Sequence, residues 1–434
     1  MTIHVVQTGE TINTIAEQYK VSAERLILEN GIINPNDLVV GQTIVIVQPL
    51  ISYTIQEGDS LSEIAARYEI SLIQIYRNNP FLANREYIYP GETIILSYDS
   101  EKLRSIQTSG YAYSFVNKEV LRTTLPFLTY LTIFDYRQTA DGGIIEPDDQ
   151  EVIDMAKEYG VAPMMLASTQ TDQGDSSLEI ARTLLNTPEL QDYYIDNIVS
   201  VLKRKGFYGL NQYFQFYGLE NQELYINYVR NLSIRLKNEG FRLEVTITPT
   251  EEVGVSGIVY ENIDYSLIAQ YTDALTILTY NWGVSYGPPA SSTPANLIEG
   301  AITNITTTVP PEKVFLGLPV IGYIWSLPYI PGHSIANAIA PTIAIEIAVD
   351  NKVNIQYNEI SQAAYYFFFM NEDQLYNVWF KDARSIEAFS NLVLRFGLQG
   401  LSIWSIMFFY TQMWFVINNL FAIERVDDLN NSNQ

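Results

Sequence analysis

The chain contains no cysteine, which excludes disulfides and thiolate metal sites and leaves its redox compartment undecided. Histidine is nearly absent as well. His4 and His333 are the only two, too few for a Ser-His-Asp arrangement or a histidine metal cluster, so neither a metal nor a cofactor is expected. Basic residues are scarce: 25 Lys and Arg stand against 49 Asp and Glu, a formal net charge of -24. That balance argues against nucleic acid and anionic membrane surfaces as partners. Residues 1–100 carry 5 basic and 12 acidic side chains, so the acidity is spread along the chain and reads as a solvated acidic surface. No apolar run is long enough for a membrane span. The N-terminus MTIHVVQTGE lacks the basic and apolar regions of a secretory signal.

What is present is a globular composition, 434 residues with 47% hydrophobic content, enough for a large core and two or three domains. Its first hundred residues repeat. HVVQTGETINTIAEQYKVSAERLILENG aligns with SYTIQEGDSLSEIAARYEISLIQIYRNNP at an offset of 49, pairing Gly9 with Gly58, Glu10 with Asp59, Thr11 with Ser60, Ile15 with Ile64, Tyr19 with Tyr68 and Asn30 with Asn79. After one inserted residue, Gly41-Gln42-Thr43-Ile44 matches Gly91-Glu92-Thr93-Ile94. Each copy reads as a strand, a Thr or Ser helix cap, two short helices with apolar residues at helical spacing, and a closing strand. The expected units are βααβ modules over 1–49 and 50–98.

Both units resemble LysM domains. The resemblance implies binding of peptidoglycan or chitin-like glycan containing N-acetylglucosamine, in a groove between the first strand–helix loop and the second helix–strand loop. Carried onto this sequence, the groove positions are Gly9, Glu10, Thr11, Ile12, Asn30 and Gly31, and in the second copy Gly58, Asp59, Ser60, Leu61, Asn79 and Pro80. Turn and cap chemistry accounts equally well for the Gly, Thr and Ser positions taken singly.

A polar join over 99–108 leads into alternating strand-like and helix-like segments, the pattern of a parallel α/β fold. Strands are expected near 109–116, 128–134, 162–167, 207–214, 241–248, 274–280, 313–319 and 399–404. Eight such units make a (β/α)8 TIM barrel, here over 109–425 and followed by a polar tail at 426–434, with the site at the carboxyl ends of its strands.

The most informative strand is KGFYGLNQYFQFY, Lys205 to Tyr217. GFYGLNQYFQF resembles the fourth-strand signature of glycoside hydrolase family 18 barrels, in particular spore cortex-lytic N-acetylglucosaminidases carrying tandem LysM modules. YLTIFDYRQTADGGIIEPDD, VAPMML, LTYNWGVSYGPP, KVFLGLPVIGYIWSLPY and GLQGLSIWSI resemble the second, third, sixth, seventh and eighth strands. The resemblance also implies a small α+β insertion subdomain, about 321–380, forming one wall of the cleft. Two signature positions differ. Where the family carries an Asp that orients the substrate acetamido group, this chain has Tyr213, and where it carries the proton-donating Glu, it has Gln215. A glycosidic oxygen leaves only when an acid protonates it, and an amide has no proton of suitable pKa to give. In this family the substrate's own acetamido group acts in place of an enzyme nucleophile. Tyr280 and Trp404 match the family's acetamido-holding tyrosine and sugar-supporting tryptophan, while Asn281 stands where an acidic residue is usual. Glu220, Glu223 and Asp135 are the nearby carboxylates that could substitute.

These positions lead to the expectation of a non-catalytic, glycan-binding structural protein of a bacterial spore surface or parasporal layer, with Tyr213, Gln215, Tyr280 and Trp404 holding sugar. An active cortex-fragment N-acetylglucosaminidase using another acid, and a pure assembly or crystal-forming protein, are the alternatives. Aromatics are abundant, 31 Tyr and 19 Phe. The run Tyr365, Tyr366, Phe367, Phe368, Phe369 and Met370 cannot all face inward on a strand, because successive side chains point to opposite faces. Self-association or contact with other spore-layer proteins is therefore expected there.

Overall fold

The computed structural model describes residues 1–85, 87–169, 177–214, 221–247, 264–279, 285–370 and 373–426. Each sequence repeat closes a two-stranded antiparallel sheet around two helices. In the first, β1 (Thr2–Val5), α1 (Ile12–Tyr19), α2 (Ala23–Asn30) and β2 (Thr43–Ile46) follow one another, and β1 pairs with β2. The second repeats this with β3 (Pro49–Thr54), α3 (Leu61–Arg67), α4 (Leu72–Asn78) and β4 (Thr93–Tyr98). The repeated polar residues have equivalent duties. Thr11 and Ser60 cap α1 and α3, each hydroxyl accepting from a backbone N–H three residues on, at 3.2 Å. The amides of Asn30 and Asn79 brace the closing strands, bonding Val45 N and O at 2.6 and 2.9 Å and Ile95 N and O at 2.8 Å each.

The barrel begins with β5 (Arg104–Tyr113), α5 (Lys118–Thr124), β6 (Tyr130–Gln138), the short β7 (Ile144–Ile145), α6 (Gln150–Glu158) and β8 (Ala162–Ser168). It continues through α7 (Leu178–Asn186), α8 (Pro188–Lys205), β9 (Gly209–Tyr213), α9 (Gln222–Asn238), β10 (Arg242–Ile247), α10 (Tyr265–Tyr271) and β11 (Ala274–Ile277). Helix α11 (Ala295–Thr306) and β12 (Val314–Pro319) precede a small antiparallel sheet of β13 (Gly322–Ser326), β14 (Asn337–Ile339), β15 (Gln356–Asn358), β16 (Ala363–Met370) and β17 (Gln374–Phe380), with α12 (Pro341–Asp350) on one face. The chain then returns through α13 (Ala383–Phe396), β18 (Gly400–Trp404), α14 (Thr411–Leu420) and β19 (Phe421–Ile423).

Eight parallel strands run in the order β5, β18, β12, β11, β10, β9, β8, β6, and a β5–β6 pairing closes the ring. This is the expected (β/α)8 barrel preceded by LysM modules. The first strand starts earlier than the pattern predicted, because Arg104–Ile106 pair with β19 at the far end of the chain, a partner no local signal reveals. Strand alternation divides the aromatic run on β16: Tyr366 and Phe368 are buried against α12, whereas Phe367 and Phe369 are 46% and 61% exposed.

The modules are not loosely tethered. Val45, Val47, Ile95 and Tyr98 belong to the same buried cluster as the barrel core, and α14 presents a buried amide to each module. Gln412 Nε2 donates to Asn30 Oδ1 at 3.1 Å and to the Thr43 carbonyl at 2.6 Å, while the Thr43 hydroxyl donates to Gln412 Oε1 at 3.2 Å. Asn418 Nδ2 donates to Asn78 Oδ1 at 3.1 Å. At Gly41, with φ of +89°, a Cβ would lie 1.8 Å from the Ile355 carbonyl oxygen, so only glycine admits the small sheet's approach. Replacing Gln412→Ala strands the buried Thr43 hydroxyl and carbonyl, and is expected to cost about 2–3 kcal/mol in urea unfolding. The Asn419→Ala change, losing mainly one side-chain bond to the Phe415 carbonyl and one to Ser100, is expected to cost less.

Candidate active site

The carboxyl ends of the strands form a mouth floored by Trp404, the last residue of β18 and half-buried. Its ring lies 5.4 Å from Tyr111, 5.3 Å from Phe134 and 6.4 Å from Tyr113, all tilted or edge-on. Such geometry leaves a ring held at its edges by neighbours and suited to stacking against the apolar face of a sugar. Tyr113 meets Phe134 edge-on at 5.0 Å and stacks on Phe115 at 5.1 Å. These positions follow from inward alternation at strand ends, visible in SGYAYSF and LTIFDY, and sequence reasoning passed over Tyr111, Tyr113 and Phe134.

Tyr213 closes β9 with 7% exposure, in the same cluster as Tyr111, Phe134, Leu166, Leu278 and Trp404. The fold thus brings together the two described barrel positions predicted from sequence, Tyr213 and Trp404. Gln215, Tyr280 and Asn281 lie outside the described residues, as does Glu220. Glu223 sits in the first turn of α9.

Asp135 is the carboxylate at this mouth among the described residues. It follows Phe134 on β6, its side chain is 13% exposed, and Ser168 Oγ donates to its Oδ1 at 2.6 Å. Its Oδ2 lies 3.8 Å from Arg137 Nε. Burial pushes its pKa up to about 6, against the downward pull of the Ser168 hydrogen bond and the Arg137 charge. Other buried carboxylates in the barrel are committed elsewhere. Asp149 is tied to Lys205 Nζ at 2.6 Å and to the Tyr136 hydroxyl at 2.6 Å. Glu244 is paired with Arg242 at 2.9 Å within the barrel.

In the LysM modules, Gly9 and Gly58 have φ of +85° and +87° with open space where a Cβ would stand. Glu10 accepts from Gln7 N at 2.7 Å and lies 2.8 Å from His4 Nε2. Asp59 accepts from Gln56 N and the Tyr53 hydroxyl, both at 2.7 Å. Ile12 is in the module core, Leu61 packs against its counterpart core, and Gly31 ends α2 in the left-handed conformation beside Thr411. Asn79 and Pro80 line a cleft of about 920 Å³ between the modules, together with Arg25, Leu28, Glu29 and Phe81.

The family described as glycosyl hydrolases family 18 matches residues 172–408, and the LysM domain family matches residues 4–47 and 53–97. A cortical fragment-lytic enzyme of Bacillus subtilis (strain 168) is 30% identical over 429 residues, covering 98% of this chain and 99% of that protein. The crystal structure of the spore cortex-lytic enzyme SleL of Bacillus megaterium QM B1551 superposes with a TM-score of 0.81 at 29% identity, covering 98% of each chain. That of Bacillus cereus SleL gives 0.80 at 27% identity, covering 98% of this chain and 99% of the other.

These findings overturn the expectation of a non-catalytic structural protein. Proteins matching along the entire chain are named for lysis, and the contrary reading rested on the side chains at Tyr213, Gln215 and Asn281. The physical reason is that a strand signature identifies the residue at a position but does not determine which carboxyl of a ring of eight strand ends reaches the substrate. A carboxyl with a pKa near 6 when folded and near 4 when unfolded binds more protons in the native chain between those values. Stability therefore falls as pH rises from about 4 to about 6. Asp135→Asn is expected to be more stable than the parent protein at pH 7 by on the order of 2 kcal/mol and close to it at pH 4, in urea unfolding at both pH values.

Proposed function

Because this chain belongs to glycosyl hydrolase family 18 and carries two LysM modules ahead of its barrel, we propose that it hydrolyses N-acetylglucosamine-containing fragments of spore cortex peptidoglycan. The observation that carries the reading is the aromatic mouth: Trp404 framed by Tyr111, Tyr113 and Phe134 at the carboxyl ends of the barrel strands, where catalytic residues of this architecture gather. The names of relatives that match along the full chain support the same substrate. LysM modules support binding of peptidoglycan or chitin-like glycan. Their buried docking onto α14 holds them at a fixed position beside the barrel, so glycan held by a module is presented from a constant direction.

We place the site of action in the bacterial spore. By the family resemblance, Tyr280 is assigned to the acetamido group, Trp404 to the sugar face, and Tyr213 and Gln215 to sugar binding. The exposed Phe367, Phe369 and Met370 edge is assigned to contacts with a second copy or with other spore-layer proteins.

Incubation of the purified protein with cortical muropeptides should release new reducing ends, and a lack of release at substrate excess would exclude the reading. Trp404→Ala should weaken productive binding about tenfold, or roughly 1.4 kcal/mol. The effect should register mainly in KM, by initial rates on the same fragments.

A further inference from the structure

Hydrolysis by a family that uses the substrate's acetamido group as nucleophile still requires one protein acid. The amide of Gln215 cannot supply it. Around the mouth, β6, β8 and β9 are neighbours, and their register places Arg137 beside Ser168 and Ser168 beside Tyr213. Asp135, two residues before Arg137, therefore lies about two strand spacings across the sheet and about two residues back along it, roughly 12 Å from the Tyr213 backbone. Its carboxyl is anchored on one oxygen by Ser168 and keeps slight solvent contact. Phe134, its chain neighbour, touches the Trp404 ring that would support a bound sugar.

We propose that Asp135 is the catalytic proton donor of this protein, taking the place of the acid absent at Gln215. The assignment rests on the hydrolytic reading given above. In the first step the Asp135 O–H proton passes to the glycosidic oxygen as the bond from that oxygen to C1 breaks. The substrate's acetamido oxygen forms a bond to C1, giving a cyclic oxazolinium ion, and the leaving sugar departs with the proton. In the second step water attacks C1, the Asp135 carboxylate accepts the water proton, and the acetamido–C1 bond breaks. Atoms and charge balance without a metal, oxidant or second enzyme nucleophile.

The surroundings suit both halves of that cycle. Burial keeps the proton on Asp135 up to about pH 6, near the range where a general acid and its conjugate base both work. The Ser168 hydroxyl stabilises the carboxylate formed after transfer. Ser168 is a positioning residue in this account: it holds one carboxyl oxygen and so directs the other.

Full-length protein, Asp135→Asn and Ser168→Ala would be compared on two probes: tri-N-acetylchitotriose, whose sugar leaving group needs a proton, and its 4-nitrophenyl glycoside, whose phenolate leaves without one. Asp135→Asn should lower kcat on the unactivated trisaccharide by about 10²–10⁴-fold with little change in KM. It should lose far less in the nitrophenol-releasing step, and the alkaline limb of the pH profile near 6 should disappear. Ser168→Ala should shift that limb upward. Equal losses of Asp135→Asn on both probes would overturn the assignment by showing a structural role, and so would an unchanged pH profile. Full activity of Asp135→Asn would overturn it while leaving hydrolysis itself standing. Absence of hydrolysis by the unaltered protein on both probes and on cortical muropeptides would overturn the assignment together with the function it rests on.

Discussion

The 2.6 Å hydrogen bond from Ser168 to Asp135 holds a carboxyl at the edge of an aromatic mouth, and the chemistry proposed for the site depends on that placement. A carboxyl in open water would lose its proton near pH 4, and one fully sealed from solvent would never meet a sugar. Asp135 stands between these limits, slightly exposed and next in the chain to Phe134, whose ring meets Trp404 edge-on. Closure of the barrel creates this situation. It sets the ends of β6 and β8 next to each other, brings Trp404 from β18 across the mouth, and leaves other buried acids paired within the scaffold.

The same economy governs the N-terminal modules. Their repeated asparagines spend their amides bracing β2 and β4, and in the first module the amide oxygen of Asn30 also takes a bond from Gln412. Buried amides at a junction must be satisfied or they cost stability, so the junction tolerates one docking arrangement. The modules become fixed parts of the molecule's surface, with the cleft containing Arg25, Glu29 and Phe81 between them.

Much of this was legible in the sequence because it depends on local chemistry. The offset of 49 between repeats, the Thr11 and Ser60 caps, and strand-length apolar runs each follow from neighbours along the chain. The division of Tyr365–Met370 into alternate buried and exposed faces came from strand geometry alone. The early start of β5 did not, since it needs β19. The mouth was harder still. Tyr111, Tyr113 and Phe134 read as ordinary strand aromatics until three strand ends converge. Asp135 entered the sequence reading only as one of three carboxylates that could substitute, because its hydrogen-bond partner Ser168 lies 33 residues away along the chain. The inference of lost catalysis failed for a related reason: it weighed the residue types at Tyr213, Gln215 and Asn281, whereas which carboxyl reaches a barrel site is set by how several strand ends converge.

The most direct measurement is a crystal structure of Asp135→Asn bound to an N-acetylglucosamine tetramer. The account predicts a sugar ring stacked over Trp404 and a glycosidic oxygen within hydrogen-bond reach, about 2.6–3.2 Å, of the side chain at position 135. A tetramer bound in the barrel mouth with every glycosidic oxygen well beyond that reach, or seated away from Trp404, would contradict it.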